Sequence, residues 1–345
     1  MRGFAIPTRP ASSHVNAVRA MSARDWSRLL LLGVLWGGSF FLGRIAVSEI
    51  SPLALVFYRV TIAALALHLW LRIRGLSFAP ALSRPAGFLG LALLNNVIPF
   101  SLIFAGQTEI GAGLASIFYA TTPLWTILVA TMLTKDERLS LAALAGIALG
   151  IGGASVLIGP GLLSDLDGPL WAKLAVIGAS ISYAFGVVLA RRFRAIGAEV
   201  IATGQLTVSS LLMLPVVVIF CTPQDIIPIN GTTWLAIAML GLLCTALAFI
   251  LYFGLIASAG ATNASLVTLL VPVSATLLGA VFLGERLQMF ELTGMALILS
   301  SLTVIDGRLL RRLAALAGGG HRAGEIRRMT AAQAARRWPY AASDI

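Results

Sequence analysis

The feature that most constrains the fold is a series of ten apolar runs, each about as long as a bilayer is thick. They cover residues 29–48, 52–71, 87–107, 110–133, 139–158, 170–190, 201–221, 233–256, 262–283 and 288–306. A helix needs about 20 apolar residues to cross the hydrocarbon core. Only 11% of the 345 residues are charged, whereas a soluble domain carries about 25%. The sequence therefore predicts an all-α polytopic membrane protein with ten transmembrane helices.

Basic residues lie in alternate connections between the runs. The N-terminal segment, the tail and the connections after runs two, four and six hold 21 of the 25 Lys and Arg residues, whereas the connections after runs one, three, five and seven hold none. Loops rich in Lys and Arg stay in the cytoplasm. We therefore expect both termini, residues 1–28 and 307–345, to be cytoplasmic, and the protein to lie in the cell inner membrane.

The two terminal segments differ in what they predict. We do not expect residues 1–28 to be part of a cleavable signal, because the apolar run behind them is full length and no small-residue cleavage site ends it. We expect a disordered segment there, and either Met1 or Met21 begins the native chain. The tail is strongly basic. A polybasic segment next to a membrane helix favours anionic lipid, and we prefer this reading to nucleic acid as a partner.

Few residues have the chemistry of a catalytic or metal site. The chain has two cysteines, Cys221 and Cys244, and three histidines, two of which fall in the terminal segments. These do not form the spacings of a zinc site, a disulfide framework or a hydrolase triad. We expect no metal, no cofactor and no enzymatic activity.

The chain contains an internal repeat. Residues Leu102–Pro123 match Leu251–Pro272 at a constant shift of 149 (251 minus 102), including paired Gly, Ala-Ser and Pro positions; the shift becomes 148 at Glu137 and Glu285 (285 minus 137). The halves are residues 29–158 and 170–306, each with five runs. Because five is odd, tandem copies must enter the membrane in opposite orientations. Inverted repeats of this kind are typical of alternating-access transporters that hold a small-molecule solute between the halves.

Each half carries one proline at a matched position within an apolar run. Pro123 lies in run four and Pro272 in run nine. A proline removes a backbone hydrogen bond and bends a helix, which membrane helices tolerate where neighbours or cavity water compensate. We interpret the two prolines as hinges that shape a shared cavity, with a static packing bend as the alternative.

Small residues form stripes in the fifth and tenth runs. Gly146 and Gly150 in run five make a face that lets helix backbones approach closely. We read this face, and its counterpart in run ten, as scaffold within the molecule or as the contact of a homodimer.

A few charged residues lie within or at the ends of the apolar runs, where they either take part in gating or only mark the membrane interface. Glu137 and Glu285 end runs four and nine as Glu-Arg pairs, which are more simply read as interfacial groups. Arg59 lies seven residues past Pro52, deep enough to face the interior and attract an anionic group. No Asp or Glu lies in the central third of any run, which favours facilitated or weakly coupled movement.

Mid-run positions offer hydrogen-bonding groups and aromatic surface instead. Unsatisfied polar groups are costly in hydrocarbon, so the set predicts a polar and aromatic cavity suited to a small amphipathic solute. Asn95 and Asn96 point about 100° apart on a helix, so at most one of them faces a ligand. The set is Trp36, Ser39, Phe40, Asn95, Asn96, Tyr119, Thr122, Ser180, Ser182, Tyr183, Thr245, Tyr252, Asn263, Ser265 and Thr268.

The stretch LWGGSFFLGR after a short basic start, Arg59 and the twin Ala-Ser, Pro and Glu-Arg blocks resemble the EamA family of the drug/metabolite transporter superfamily. The resemblance covers the two halves. It implies an inner-membrane carrier that exports amino acids, related metabolites or drugs, with a cavity between the halves. Carried over to this chain, it singles out as substrate-binding residues Trp36, Asn95, Tyr119, Tyr183 and Tyr252, to which we add Ser39.

Two functions of different classes remain open at this point. The first is export of amino-acid-like metabolites, with drugs, nucleosides or sugars as other solutes for the same fold. The second is a membrane scaffold or sensor component without transport, for which the basic tail from Arg308 would hold the partner.

If the predicted cavity is correct, Trp36→Ala and Asn95→Ala should each reduce solute flux because both remove a cavity side chain. The measurement is flux at equal amounts of folded protein in the membrane. Unchanged flux in both variants would contradict the cavity assignment.

Overall fold

The chain is helical throughout the part that the structure, a computed structural model, describes: residues 21–133, 141–158, 168–228, 230–283 and 288–306. We number its long helices in chain order. They are α1 Ala23–Val47, α2 Pro52–Ile73, α3 Pro85–Glu109, α4 Ala112–Leu133, α5 Leu141–Ile158, α6 Leu170–Ala190, α7 Ala198–Phe220, α8 Gly231–Ala259, α9 (Ala261–Ser265 followed by Val267–Leu283) and α10 Met289–Asp306. The predicted all-α class is confirmed.

Eight of these helices are long and apolar enough to cross a membrane, judged by length and composition. The other two, α5 and α10, contain the shorter apolar segments Leu144–Leu157 and Met289–Ile305. The polytopic membrane class therefore agrees with the structure, while the count of ten transmembrane helices stays a prediction that depends on α5 and α10.

The first helix begins at Ala23, before the apolar run that starts at residue 29. Ser22 caps the helix: its hydroxyl accepts from the backbone N–H of Asp25, and the Asp25 carboxylate accepts from the Ser22 backbone N–H. Such a capping box satisfies N–H groups that the first helical turn leaves unpaired. Because these residues are polar, a search for apolar runs misses this turn.

Two wide π-helical turns occupy matched positions in the halves. One spans Leu93–Val97 in α3 and the other Leu242–Leu247 in α8; their starts differ by 149 (242 minus 93), the shift of the sequence repeat. A π turn displaces the regular backbone bonds and frees carbonyl groups. Ser182 Oγ donates to the Leu94 carbonyl at 2.9 Å, so a side chain from α6 satisfies one of them.

The helices that contain Pro123 and Pro272 are each interrupted, but at different distances from the proline. The helix α4 is interrupted at Thr121, so that Pro123 is the second residue of the segment Thr122–Leu133. In α9 the interruption falls at Leu266, and Pro272 lies inside the segment Val267–Leu283. The two breaks therefore do not both coincide with the prolines, and the hinge role of Pro123 and Pro272 stays a prediction.

Helix packing follows a two-fold relation between the halves. The helix α1 packs against α9, as α6 packs against α4; α3 packs against α6, as α8 packs against α1. The pairs α2–α7 and α5–α10 map onto themselves when the halves are exchanged. Neighbouring helices therefore come from different halves, so the interior is built mainly between the repeats.

The small-residue stripes lie inside the molecule. A Cβ added at Gly146 or Gly150 would meet Ile305 or Ser301 of α10. Gly294 of α10 packs in turn against the backbone of Leu157. The scaffold reading of α5 and α10 agrees with these contacts, and any homodimer has to use another face.

The close approach of α5 and α10 can be tested with two neighbouring glycines of α5, Gly153 and Gly152. A Cβ at Gly153 would lie 2.8 Å from Leu297 Cβ and 2.9 Å from the Ile298 nitrogen, whereas a Cβ at Gly152 meets nothing within 4 Å. Gly153→Ala should destabilise the protein by about 1–3 kcal/mol through overpacking. Gly152→Ala should leave the thermal unfolding temperature in detergent unchanged or raise it. Equal unfolding temperatures for the two variants would contradict this packing.

A polar and aromatic cavity between the halves

A small cavity lies where α1, α2, α3 and α4 of the first half meet α6 of the second. Its lining residues are Trp36, Ser39, Phe40, Arg59, Phe100, Ile103, Phe104, Gln107, Tyr119 and Tyr183. The cavity volume is about 20 Å³, which is about the room that one water molecule needs. The space beside these side chains is therefore small, and we expect a larger solute to require the helices to separate.

Aromatic rings close one side of this cavity and join the two halves. The ring centroid of Trp36 lies 5.1 Å from that of Tyr252, 6.4 Å from Phe249 and 6.5 Å from Tyr119. Tyr119 lies 5.6 Å from Tyr183 in an edge-to-face arrangement. These separations are those of favourable aromatic pairs. Trp36 therefore lies at the centre of a ring cluster contributed by α1, α4, α6 and α8.

The predicted binding residues divide into two groups. Trp36, Ser39, Tyr119 and Tyr183 all line the cavity. Tyr252 is buried behind Trp36 and is not among the lining residues. Tyr252 therefore supports the cavity wall from behind, while Trp36, Ser39, Tyr119 and Tyr183 form the wall.

Asn95 lies away from the cavity, in a polar contact between helices. Its Nδ2 donates to Gln205 Oε1 at 3.1 Å, and Asn96 Nδ2 donates to Ser209 Oγ at 3.0 Å. Both asparagines are fully buried. The structure thus brings neither amide to the cavity: both tie the π turn of α3 to α7. A role of Asn95 in binding solute stays a prediction without a contact to support it.

Arg59 is the charged group of the cavity. Its side chain is 4% exposed. Nε donates to Thr245 Oγ1 at 2.7 Å and Nη2 donates to the Cys244 carbonyl at 3.3 Å, both in the π turn of α8. The guanidinium carbon lies 3.9 Å from the centroid of the Phe100 ring. Arg59 therefore links the first half to the second and faces the interior, as the sequence suggested.

Gln107 is a lining residue that the sequence did not single out. Its Nε2 donates to the Phe40 carbonyl at 3.2 Å, and its backbone carbonyl accepts from Arg44 Nη1. It lies at the end of the third apolar run, where a polar residue is naturally read as the helix boundary. A glutamine followed by Thr108 and Glu109 is not distinguishable from such a boundary without the fold.

A larger second cavity of about 500 Å³ lies at the end of α6, beside α3 and α4. It has apolar walls and three arginines at its rim, with the lining Leu94, Leu133, Phe185, Val188, Leu189, Arg191, Arg192 and Arg194. The charge distribution predicts this end of α6 to be cytoplasmic. A basic, apolar cleft therefore lies at the predicted cytoplasmic face. Glu137 and Glu285, the other predicted gating groups, lie outside the described residues.

The halves are also joined by polar contacts at the two ends of α1. Near its start, Ser258 Oγ of α8 donates to Asp25 Oδ1 at 2.5 Å. Just past its end, the Asn230 backbone N–H donates to Glu49 Oε2 at 3.1 Å. A helix of 25 residues is about 37 Å long. The two contacts therefore lie at opposite ends of the helix bundle.

The position of Asn95 can be tested by a double-mutant cycle with Gln205. Asn95→Leu and Gln205→Leu should each destabilise the protein by about 0.5–2 kcal/mol, because each leaves a buried amide without its partner. The double variant should lose less than the sum of the two. Thermal unfolding in one detergent measures all four proteins. An Asn95→Leu protein with unchanged stability and reduced solute flux would instead indicate a contact with solute.

Comparison with known proteins agrees with this architecture. The EamA-like transporter family model matches residues 27–159 and again 170–305. The uncharacterized inner membrane transporter YedA of Escherichia coli (strain K12) is 28% identical over 285 residues, covering 80% of this chain and 89% of that protein. A solved crystal structure with 22% identity superimposes with a TM-score of 0.66 over 83% of this chain and 99% of its own, which supports the fold.

Two other relatives carry names that mention a solute. A "probable terminal-alkyne amino-acid exporter" of Streptantibioticus cattleyicolor is 27% identical, over 85% of this chain and 96% of its own length. A "probable amino-acid metabolite efflux pump" of Salmonella typhimurium is 26% identical, over 86% of this chain and its full length. Since the family model covers both helical halves, the chain belongs to the EamA-like transporter family, as the resemblance in its sequence predicted.

Proposed function

We propose that this protein exports amino acids or related small metabolites across the inner membrane, by alternating access between two inverted five-helix halves. The observation that carries the proposal is the small polar and aromatic cavity at the junction of the halves. Family membership supports transport, and the names of two relatives support the solute class. Trp36, Ser39, Tyr119 and Tyr183 form the binding site in this proposal.

The proposed topology has ten transmembrane helices with both termini in the cytoplasm. The two-fold helix pairing supports two equivalent halves, and five helices in each half require opposite orientations. The basic tail, which lies outside the described residues, then faces the inner leaflet and is suited to anionic lipid headgroups. In this orientation the start of α1 is cytoplasmic and its end is periplasmic.

The polar contacts at the ends of α1 suggest how access alternates. Opening the cytoplasmic side requires the bond between Asp25 and Ser258 to break, and opening the other side requires the contact between Glu49 and Asn230 to break. With both in place, the cavity has room for about one water molecule. Both contacts are present together in the structure, and in this proposal they break one at a time.

The aromatic walls suit more than one class of solute, so two alternatives remain. Tryptophan and tyrosine faces also bind drugs, nucleosides and sugars by stacking. A scaffold or sensor component without transport is the other alternative, with the basic tail as its partner site. Deleting the tail, residues 307–345, should leave flux unchanged if the tail only orients the protein or binds lipid.

The proposal is tested by flux from proteoliposomes loaded with a labelled amino-acid mixture, with and without a pH gradient. The lining contains no carboxylate among the described residues, so we expect release without a gradient. Release that requires a gradient would indicate a titrating interfacial group, with Glu137 and Glu285 the first to replace. Absence of any release would exclude amino acids and make drugs, nucleosides or sugars the next solutes to test.

A matched pair of tryptophan variants identifies the cavity as the transport site. Trp36→Ala should lower flux at least tenfold because it removes the centre of the ring cluster. Trp171→Ala is the control, since Trp171 is 49% exposed on the outer surface of the helices. Both are measured at equal protein in the vesicles. Equal flux in the two variants would place the solute elsewhere.

A further inference from the structure

Arg59 is a buried charge within the helix bundle and has no charged partner among the residues that the structure describes. Within the described residues it contacts a hydroxyl, a backbone carbonyl and aromatic rings. Arginines inside membrane helices are rare and almost always pair with a counter-charge or serve a substrate path.

The hydrogen bonds of Arg59 leave one edge of its guanidinium open. The group has five N–H donors in a planar fork. The protein accepts two of them, one from Nε and one from Nη2. Three remain (five minus two), namely both on Nη1 and one on Nη2. The open edge therefore carries parallel donors from Nη1 and Nη2, which is the arrangement that binds a carboxylate in bidentate fashion.

The surroundings hold this fork in place beside the cavity. The Phe100 ring covers one face of the guanidinium at 3.9 Å, and the π turn of α8 holds the Nε edge through Thr245. Thr245 is itself held, because its hydroxyl donates to the Leu240 carbonyl at 2.6 Å. Arg59 lines the central cavity together with Tyr119 and Tyr183. The remaining N–H groups thus belong to the cavity wall.

We propose that Arg59 is the binding site for the carboxylate of the transported solute, which forms a bidentate contact with Nη1 and Nη2. The inference rests on the proposed transport function. In this proposal the solute carboxylate is the counter-charge of Arg59, which the described residues do not supply. The aromatic rings around Trp36 and Tyr119 then contact the less polar part of the same molecule.

The assignment explains why the anchor of Arg59 lies in the other half of the protein. Arg59 belongs to α2 of the first half, and its two acceptors belong to α8 of the second. A carboxylate bound at the open edge contacts a group that bridges the halves. Binding of the solute therefore changes the contacts of a residue at the junction of the halves, which has to move during alternating access.

The experiment compares labelled phenylalanine with phenylalanine amide, which keeps the amino group and lacks the carboxylate charge, in proteoliposomes of the full-length protein. The wild-type protein should transport the acid about 10- to 100-fold better, since a hydrogen bond to a charged group stabilises binding by that amount. Arg59→Gln should lose acid transport by the same factor and change amide transport little. Arg59→Lys, which keeps the charge without the fork, should retain an intermediate preference for the acid.

Arg74→Gln is the matched control, because Arg74 lies at the exposed end of the same helix. It should leave both solutes unaffected. The acid-to-amide ratio of the wild-type protein tests the proposal even if Arg59→Gln fails to fold. Equal transport of acid and amide by the wild type, or an equal loss of both in Arg59→Gln, would overturn the role of Arg59 while leaving the transport function intact. If the wild type moves neither solute, nor any carboxylate of a wider panel, the proposed function and the assignment both fail.

Discussion

The rest of the structure depends on one constraint: inside a membrane, a polar group must find its partner within the protein. This chain meets the constraint in two ways. Many buried hydroxyls donate to a carbonyl of their own helix, as Thr122 and Thr126 do, and several other groups bond between helices of different halves. Asn95 bonds to Gln205, Asn96 to Ser209 and Arg59 to the π turn of α8. Because hydrocarbon offers no competing hydrogen bonds, these contacts favour the packing of α3 against α7 and of α2 against α8. Polar contacts of this kind therefore contribute to the junction of the two halves.

The π turns show how the repeat generates a site from this constraint. Both halves carry one, at the same place in α3 and in α8, but the side chains around them differ. In α3 the turn presents two amides to α7, and in α8 it presents Thr245 and a carbonyl to Arg59. The two turns therefore share a backbone geometry but differ in their contacts: the turn of α3 packs against α7, and the turn of α8 holds a cavity residue. The halves differ here in a few side chains and not in the backbone.

Sequence reasoning succeeded where periodicity and spacing carry the information, and it failed where side-chain direction does. The helical membrane fold and the family follow from apolar length and paired motifs. The spaced glycines indicated a face of close packing on α5 but not that α10 covers it. Trp36, Ser39, Tyr119 and Tyr183 do come together in one cavity. Asn95 does not, because the π turn shifts the helical phase and turns its amide towards Gln205. Gln107 was missed because a polar residue near a helix end resembles a boundary.

The sequence by itself determined that this chain forms a bundle of apolar helices in two related halves, since hydrophobic length and internal repetition are properties of the chain alone. It also determined that an arginine lies within an apolar segment. Only the tertiary structure decided which polar groups meet, because partners such as Arg59 and Thr245 are 186 residues apart. The size of the cavity was likewise decided by packing: a volume depends on how whole helices fit together, and no local pattern records it.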